Sequence, residues 1–234
     1  MRILYEDNHI LVAEKPANMP CQADSSKDAD MLNLLKAYIK QSANKPGAVY
    51  LGLCHRLDRP VGGVMVFAKT SKAAKRLCSL FAENKAERRY VAVVVGRPPE
   101  ESVLIDYLKL SDKRMIAYNS PLEGAKRAEL SLRTLMYLGG YALVDIALKT
   151  GRKHQIRSQL MNHGWPVRFD MRYNPSPEKG QIALFAYCLG FMHPTKKEYM
   201  RFVIAPNSKS FFGFEPCLKL LIENAKNMPK GCLS

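Results

Sequence analysis

Short runs of β-branched and aromatic residues, bounded by glycine, proline and polar residues, recur along this chain and predict a sheet. The runs lie at residues 3–5, 10–13, 64–68, 91–95, 114–118, 128–135, 141–148, 182–186 and 200–204. Between two of these runs, the pair Gly139-Gly140 predicts a hairpin turn. The middle of the chain is therefore expected to be mostly sheet.

A second pattern, with apolar residues three and four positions apart, predicts four helices. The helices cover residues 30–41, 71 to about 84, 152 to about 163, and about 215 to 225. Asp28 or Asp30 is the predicted cap of the first helix, and Thr70 or Ser71 caps the second. Because the chain has no internal repeat and no linker, residues 1–234 are expected to form one α+β domain, or two lobes of it around a cleft.

The charge balance indicates the kind of partner. The chain carries 36 Lys and Arg against 21 Asp and Glu, a formal charge of +15, which favours a nucleic acid or another anionic surface over a small neutral ligand. The basic residues recur among apolar segments, as at 85–89, 152–157 and 168–172, which indicates a folded cationic surface. Dispersed solubilising charge is the alternative interpretation.

Neither a membrane span nor a secretory signal is predicted from the sequence, so we expect a cytoplasmic protein. The six cysteines form no CxxC pair and no Cys/His cluster with zinc spacing, and are interpreted as reduced thiols. They are Cys21, Cys54, Cys78, Cys188, Cys217 and Cys232. Cys54 is adjacent to the candidate site described next, but it is interpreted as a packing residue.

Asp58 is the most informative candidate for chemistry, because it stands between Arg56 and Arg59 in an already basic chain. Nearby cations lower the pKa of a carboxylate, so Asp58 is expected to be ionised at neutral pH and available as a nucleophile or general base. The alternative is an aspartate that only closes a turn before Pro60.

Three separate motifs occur in a characteristic order: HRLDRPVGG at 55–63, RRYVAVVVG at 88–96 and TGRKHQIR at 150–157. Together they resemble the signatures of the RluA-type RNA pseudouridine synthases, a resemblance that covers most of the chain. It implies the pseudouridine synthase fold, with a mixed, mainly antiparallel central sheet, flanking helices and a catalytic cleft. It also implies isomerisation of selected uridines in structured rRNA or tRNA, with no metal and no other cofactor.

By this resemblance Asp58 is the nucleophile, acting at the ribose C1′ or, in an older alternative, at C6 of the uracil. Tyr90 matches the tyrosine that lies against the uracil and helps to remove the C5 proton. Arg157 matches the arginine that pairs with the catalytic aspartate and keeps it charged. Taken alone, Tyr90 is also typical of a core strand, and Arg157 of a helix surface.

The same resemblance assigns RNA contacts. Arg56 is expected to enter the space left by the flipped uridine, although it could instead hold a loop. The remaining predicted RNA-binding residues are Arg59, Arg152, His154 and Gln155. The start of the third helix, near Thr150, is expected to suit a phosphate, and His154 is interpreted as hydrogen-bonding support rather than a general base.

Some positions depart from the family pattern. Val61-Gly62-Gly63 stands where Thr-Ser-Gly is common, Phe169 precedes Asp170 where a glycine is usual, and Phe185 replaces a histidine. An extra S4-type RNA-binding module is not expected before the catalytic domain.

These departures motivate an alternative function, a non-catalytic RNA-binding or ribosome-assembly factor. A metal-dependent nuclease using Asp58, His154 and Asp170 is a third possibility. The partner expected in all three cases is RNA, and nothing in the sequence requires more than a monomer.

Overall fold

The computed structural model describes residues 2–42, 44 and 46–229. Met1, Lys45 of the predicted 44–47 loop, and Cys232 lie outside the described residues. Within the described ranges, eleven strands join one sheet. The strands are β1 (Ile3–Glu6), β2 (Ile10–Lys15), β3 (Gly52–Leu53), β4 (Gly62–Ala68), β5 (Glu87–Val95), β6 (Glu101–Ser111), β7 (Arg114–Tyr118), β8 (Lys126–Leu138), β9 (Tyr141–Leu148), β10 (Leu184–Met192) and β11 (Tyr199–Val203).

Four α-helices and one short 3-10 helix flank the sheet in the described ranges. They are α1 (Met31–Ser42), α2 (Ser71–Ala82), α3 (Gln155–Asn162), α4 (Glu215–Asn227) and the 3-10 helix Lys209–Phe211. The sheet order is β1-β2-β4-β10-β5-β9-β8-β6-β7, with β3 beside β4 and β11 beside β10. All pairs are antiparallel except β4 with β10. The predicted α+β class with a mainly antiparallel sheet is confirmed.

The two faces of the sheet carry separate hydrophobic clusters because side chains alternate along each strand. On β5, Ala92 and Val94 join the cluster that covers α1 and α3, whereas Val91 and Val93 join the cluster that covers α2 and α4. Tyr90 belongs to the first cluster. The strand pattern therefore fixes the face on which Tyr90 lies, which is the face of α3.

The parallel pair β4–β10 depends on a glycine. Gly63 has φ +141°, and a Cβ there would collide with the carbonyl oxygen and Cβ of Ala186. Only a residue without a side chain lets the two central strands approach this closely.

Several local predictions are confirmed, but several boundaries differ: β5 begins at Glu87 rather than at residue 91, and β8 spans Lys126–Leu138 rather than 128–135. Thr70 caps α2 by accepting from Ala73 N at 3.2 Å, and Asp30 caps α1 by accepting from Asn33 N at 3.0 Å. Gly139 and its neighbour adopt positive φ in the β8–β9 turn, as predicted. The strand predicted at 182–186 instead runs from Leu184 to Met192, because pairing with both β5 and β11 extends it.

No helix in the described part of the chain is both long enough and apolar enough to traverse a bilayer. Five cysteines there are free thiols, as expected: Cys21, Cys54, Cys78, Cys188 and Cys217.

Candidate active site

A cleft of about 920 Å³ opens where the three sequence motifs meet. Its wall includes residues 53–59 before β4, Arg88 and Tyr90 on β5, and residues 151–157 at the start of α3. The segment 20–24 closes another side. The fold therefore brings together motifs that are separated along the chain by up to about a hundred residues.

Asp58 lies in the loop before β4, and its side chain is 22% exposed to the cleft. Its carbonyl accepts from Val61 N at 3.0 Å, so the backbone does close the turn considered above. The carboxylate additionally accepts from Arg157, with 3.0 Å between Nη1 and Oδ2. Asp58 therefore combines a structural backbone role with a carboxylate that substrate can reach.

Arg157 is fixed by a second carboxylate. Its Nε and Nη2 donate to the two oxygens of Asp170 at 2.7 and 2.8 Å, in a bidentate pair whose carboxylate is fully buried. Burial alone would raise the pKa of Asp170, but the hydrogen bonds and charge of Arg157 outweigh it and hold that pKa below the usual value. Arg157 is thus a pre-oriented cation with one guanidinium nitrogen left for Asp58.

This pairing bears on the nuclease hypothesis. Asp170 also accepts from the backbone N–H groups of Arg172 and Tyr173, at 3.0 and 3.2 Å, so its oxygens are occupied by protein donors. Among residues 2–42, 44 and 46–229, no group of three His, Cys, Asp or Glu side chains is arranged to hold a metal ion.

A clamp of neighbouring residues holds the loop on both sides of Asp58. Before it, Cys21 Sγ donates to Leu57 O at 3.1 Å and accepts from Leu57 N at 3.4 Å. After it, the fully buried Lys15 donates to Arg59 O at 3.1 Å and also to the carbonyls of residues 16 and 19, at 2.9 and 2.7 Å. Neither Lys15 nor Cys21 was identified from sequence, because the contacts join distant segments without a local motif.

Arg59 itself pairs with acidic residues of the 24–28 segment. Its guanidinium hydrogen-bonds Asp28 and Ser26 and lies 3.9 Å from Asp24. These carboxylates neutralise the charge that was expected to contact RNA, so Arg59 also anchors the loop.

Tyr90 is only 9% exposed and lines the cleft. Burial raises its pKa to about 12, while the charge of Arg88 lowers it and that of Asp58 raises it. The phenol is therefore protonated at neutral pH and offers an apolar ring with a neutral hydroxyl group rather than a phenolate.

His154 precedes α3 in a left-handed conformation, with φ 51°. The predicted start of α3 near residue 152 is wrong by a few positions, because this conformation keeps residue 154 out of the helix. Nε2 of His154 lies 3.8 Å from Asp58 Oδ1, and Nδ1 of His154 lies 2.8 Å from Tyr173 Oη. Burial lowers the pKa of His154, so a neutral imidazole faces Asp58. Tyr173, which was missed from sequence, orients that ring while accepting from Met115 N at 3.0 Å.

The other predicted RNA contacts differ in exposure. Arg56 and Arg152 are exposed at the cleft, which suits binding of an external anion. Gln155 is 2% exposed. Its amide oxygen accepts from Thr150 Oγ1 and Arg152 N, and its amide nitrogen donates to Glu129 O. Gln155 therefore shapes the turn that carries Arg152.

His55, the first residue of its motif, is a half-buried residue that supports the site. Its Nε2 accepts from Val66 N at 3.0 Å, and its ring stacks on Phe81 with 4.4 Å between centroids. Burial lowers its pKa to about 3, with a smaller contribution from Arg88, so the ring stays neutral.

Two departures from the family pattern have structural counterparts. Phe169 adopts φ 61°, a left-handed conformation that explains why a glycine is usual there. Gly62 pairs with Phe185 across β4 and β10, and a Cβ on Gly62 would lie 3.1 Å from the Phe185 ring. The large residue at 185 therefore occupies space that the missing side chain at 62 leaves open.

The chain is similar to known proteins in sequence and in fold. A sequence profile described as RNA pseudouridylate synthase matches residues 9–162. The "uncharacterized RNA pseudouridine synthase YlyB" of Bacillus subtilis (strain 168) is 31% identical over 204 residues, covering 86% of this chain and 67% of the relative. Ribosomal large subunit pseudouridine synthase C of Escherichia coli (strain K12) is 31% identical over 234 residues, covering 94% of this chain and 69% of the relative.

The solved structure of human RNA pseudouridylate synthase domain containing 4 superimposes with a TM-score of 0.76 at 21% identity, covering 93% of each chain. It supports the fold. The chain belongs to the RNA pseudouridylate synthase family, whose members are isomerases, and the predicted resemblance to the RluA type is confirmed. The chain spans about two thirds of the length of these curated relatives.

Proposed function

We propose that this chain converts specific uridines of structured RNA to pseudouridine, with Asp58 as the nucleophile. The observation that carries the proposal is the chain of contacts from Asp58 to Arg157 to Asp170, with 3.0 Å between Asp58 Oδ2 and Arg157 Nη1. A partly exposed carboxylate held by a pre-oriented guanidinium is suited to covalent chemistry with a substrate bound in the cleft.

The reaction conserves all atoms of the nucleotide. On the C1′ route, a carboxylate oxygen of Asp58 bonds to C1′ as the N1–C1′ bond breaks, and uracil leaves with the electron pair. After the uracil rotates, C5 bonds to C1′ and the carboxylate departs. The proton on C5 is then lost, and N1 gains a proton. On the alternative route a carboxylate oxygen of Asp58 adds to C6, and this bond breaks again after C5 has bonded to C1′. Both routes require the ionised carboxylate that Arg157 stabilises.

Other cleft residues serve the same substrate. Tyr90 lies against the uracil through its ring, and its neutral hydroxyl group helps to carry away the C5 proton by accepting it while releasing its own proton. Arg56 occupies the space from which the uridine is flipped, and Arg152 binds backbone phosphate. The neutral His154 supports Asp58, and Arg59 with Gln155 acts by holding the loops.

The substrate class is inferred from charge and relatives. The +15 chain suits an RNA polyanion, and the name of the E. coli relative refers to the large ribosomal subunit. We propose rRNA or tRNA as the substrate of a cytoplasmic enzyme that acts as a monomer, with residues 1–234 as a single catalytic domain.

The test is incubation of the purified protein with deproteinised rRNA and tRNA, followed by mapping of pseudouridine. New pseudouridine at discrete positions is expected, and none should form with Asp58→Ala. If the wild type binds RNA but forms no pseudouridine in either class, the proposal is wrong and the non-catalytic RNA-binding alternative is favoured.

A further inference from the structure

Arg88 is a cation of the cleft that forms no ion pair with any carboxylate among residues 2–42, 44 and 46–229. We propose that Arg88 binds a phosphodiester group of the RNA next to the target uridine, an inference that rests on the proposed function and adds a phosphate subsite to it. Arg88 lies on β5 two residues before Tyr90 and lines the same cleft as Asp58.

The contacts of the Arg88 guanidinium are few and neutral. Its Nη2 donates to Asn84 Oδ1 at 3.2 Å and, at 3.5 Å, to the carbonyl of Lys149. Its Nε is buried without a hydrogen-bond partner among the described residues. A partly desolvated guanidinium with no anion beside it is costly, so an anion bound in the cleft would meet a charge that no carboxylate screens.

The other arginines of the cleft are either paired with carboxylates or exposed. Arg157 is shared by two aspartates, and Arg59 faces the acidic 24–28 segment. Arg56 and Arg152 are exposed, and Arg152 Nε donates to Arg127 O at 3.2 Å. Arg88, by contrast, is half-buried, and no carboxylate in the part of the chain that the structure describes lies within ion-pair distance of it.

A glycine of a different motif makes room for this guanidinium. A Cβ on Gly151 would collide with Nη1 of Arg88. The backbone of the 150–154 turn therefore passes directly beside the cation. An anion at Arg88 would lie between β5 and this turn, near the exposed Arg152 that follows Gly151.

The position of Arg88 relative to Tyr90 matches the distance from the base of one nucleotide to a neighbouring phosphate. Residues two apart on a strand project from the same face, roughly 7 Å apart. Arg88, Tyr90 and Asp58 all line the same cleft. With the uracil against Tyr90 and the sugar at Asp58, a neighbouring phosphate reaches Arg88. The fork of donors on arginine matches two phosphate oxygens.

The test compares Arg88→Gln and Arg88→Lys with the wild type and with Lys219→Gln, an exposed α4 cation away from the cleft. Affinity for a fluorescein-labelled oligouridylate is measured across a salt series, and KM and kcat are measured on deproteinised rRNA and tRNA. We expect Arg88→Gln to weaken binding about tenfold and to reduce the salt slope by about 0.7. KM should rise similarly while kcat changes little. Arg88→Lys should keep the slope and lose part of the affinity.

Thermal unfolding separates binding from a structural role. Since Arg88→Gln removes a charge without an anionic partner, its Tm should equal or exceed that of the wild type. An unchanged slope and KM, or a lowered Tm with unchanged affinity, would overturn the inference. The binding series needs no turnover, so RNA binding without pseudouridine would contradict the proposed function while the slope still decides the role of Arg88. A wild type that does not bind RNA would overturn both.

Discussion

Replacing Asp170 by asparagine probes the support of the proposed nucleophile without touching the nucleophile itself. The amide keeps the shape of the side chain but removes the charge that pairs with Nε and Nη2 of Arg157. Both side chains are nearly inaccessible, with exposures of 6% for Arg157 and 0% for Asp170. Breaking one partner of such a buried pair costs about 3–5 kcal/mol in the free energy of unfolding. For a domain of this size the expected fall in Tm is roughly 10 °C.

The effect on catalysis should exceed the effect on folding. Without Asp170, the guanidinium of Arg157 is held from one side only, and its contact with Asp58 is no longer fixed. A misplacement of about 1 Å costs about 10²-fold in rate, so kcat measured well below the Tm should fall by about that factor. The assay is tritium release from RNA labelled at C5 of uridine, alongside thermal unfolding.

Asp145→Asn is the matched control. Asp145 is equally buried and pairs with Arg89 and Tyr187, away from the cleft. It should lower the Tm by a similar amount while kcat of the folded enzyme stays within about twofold of the wild type. Equal losses of kcat in both variants, or full kcat in Asp170→Asn, would refute the reasoning.

The pH dependence of stability gives an independent check on Asp170. Its folded pKa lies below the usual 3.8, so its contribution is present above that value and is lost as pH falls through the folded pKa. The difference in unfolding free energy between the wild type and Asp170→Asn should therefore be constant near neutral pH and shrink below about pH 3.8. A difference that persists at lower pH would contradict this assignment.

Three further predictions concern the loop and strands around the site. Burial lowers the pKa of Lys15 to about 8, so the amine loses one hydrogen-bond donor as pH rises through this value, and kcat should fall. Because deprotonation removes a buried charge, the contribution of Lys15 to the free energy of unfolding should rise over the same range. A fall in Tm that parallels the fall in kcat would contradict the assignment to Lys15. Gly62→Ser should lower the free energy of unfolding, measured by chemical denaturation, and adding Phe185→His should restore about 1 kcal/mol of it in a double-mutant cycle. Strictly additive effects of the two substitutions would contradict the conclusion that the side chains at 62 and 185 share one space. Gly63→Ala should lower stability by more than about 3 kcal/mol because its Cβ meets Ala186, and a wild-type denaturation midpoint would disprove this.

The sequence predicted most of the fold because its strands follow simple rules. The predicted strands 114–118 and 141–148 coincide with β7 and β9, where alternation and the glycine turn both act locally. The boundary of α3 was missed because the left-handed residue 154 is set by its contacts with Asp58 and Tyr173, which are distant in sequence. The length of β10 was missed for a similar reason, since it depends on two neighbouring strands.

The site was predictable only as far as motifs reach. Asp58 and Arg157 were paired through a family resemblance, and the structure places their side chains in contact. Lys15 and Cys21, which clamp the same loop, carry no local signal because their hydrogen bonds join segments far apart in the chain. Gln155 was predicted to contact RNA, but only the packing around α3 indicates that its amide is turned inward.

The most direct test of the central claim is the rate of tritium release by Asp58→Asn. The amide can keep a hydrogen bond to Arg157 but cannot act as an anionic nucleophile, so the rate should fall by more than about 10³-fold with little change in Tm. The control is Asp112→Asn, at an exposed turn position with φ 42° that asparagine tolerates, and it should retain wild-type activity. Release by Asp58→Asn at the wild-type rate would contradict the assignment of Asp58 as the nucleophile.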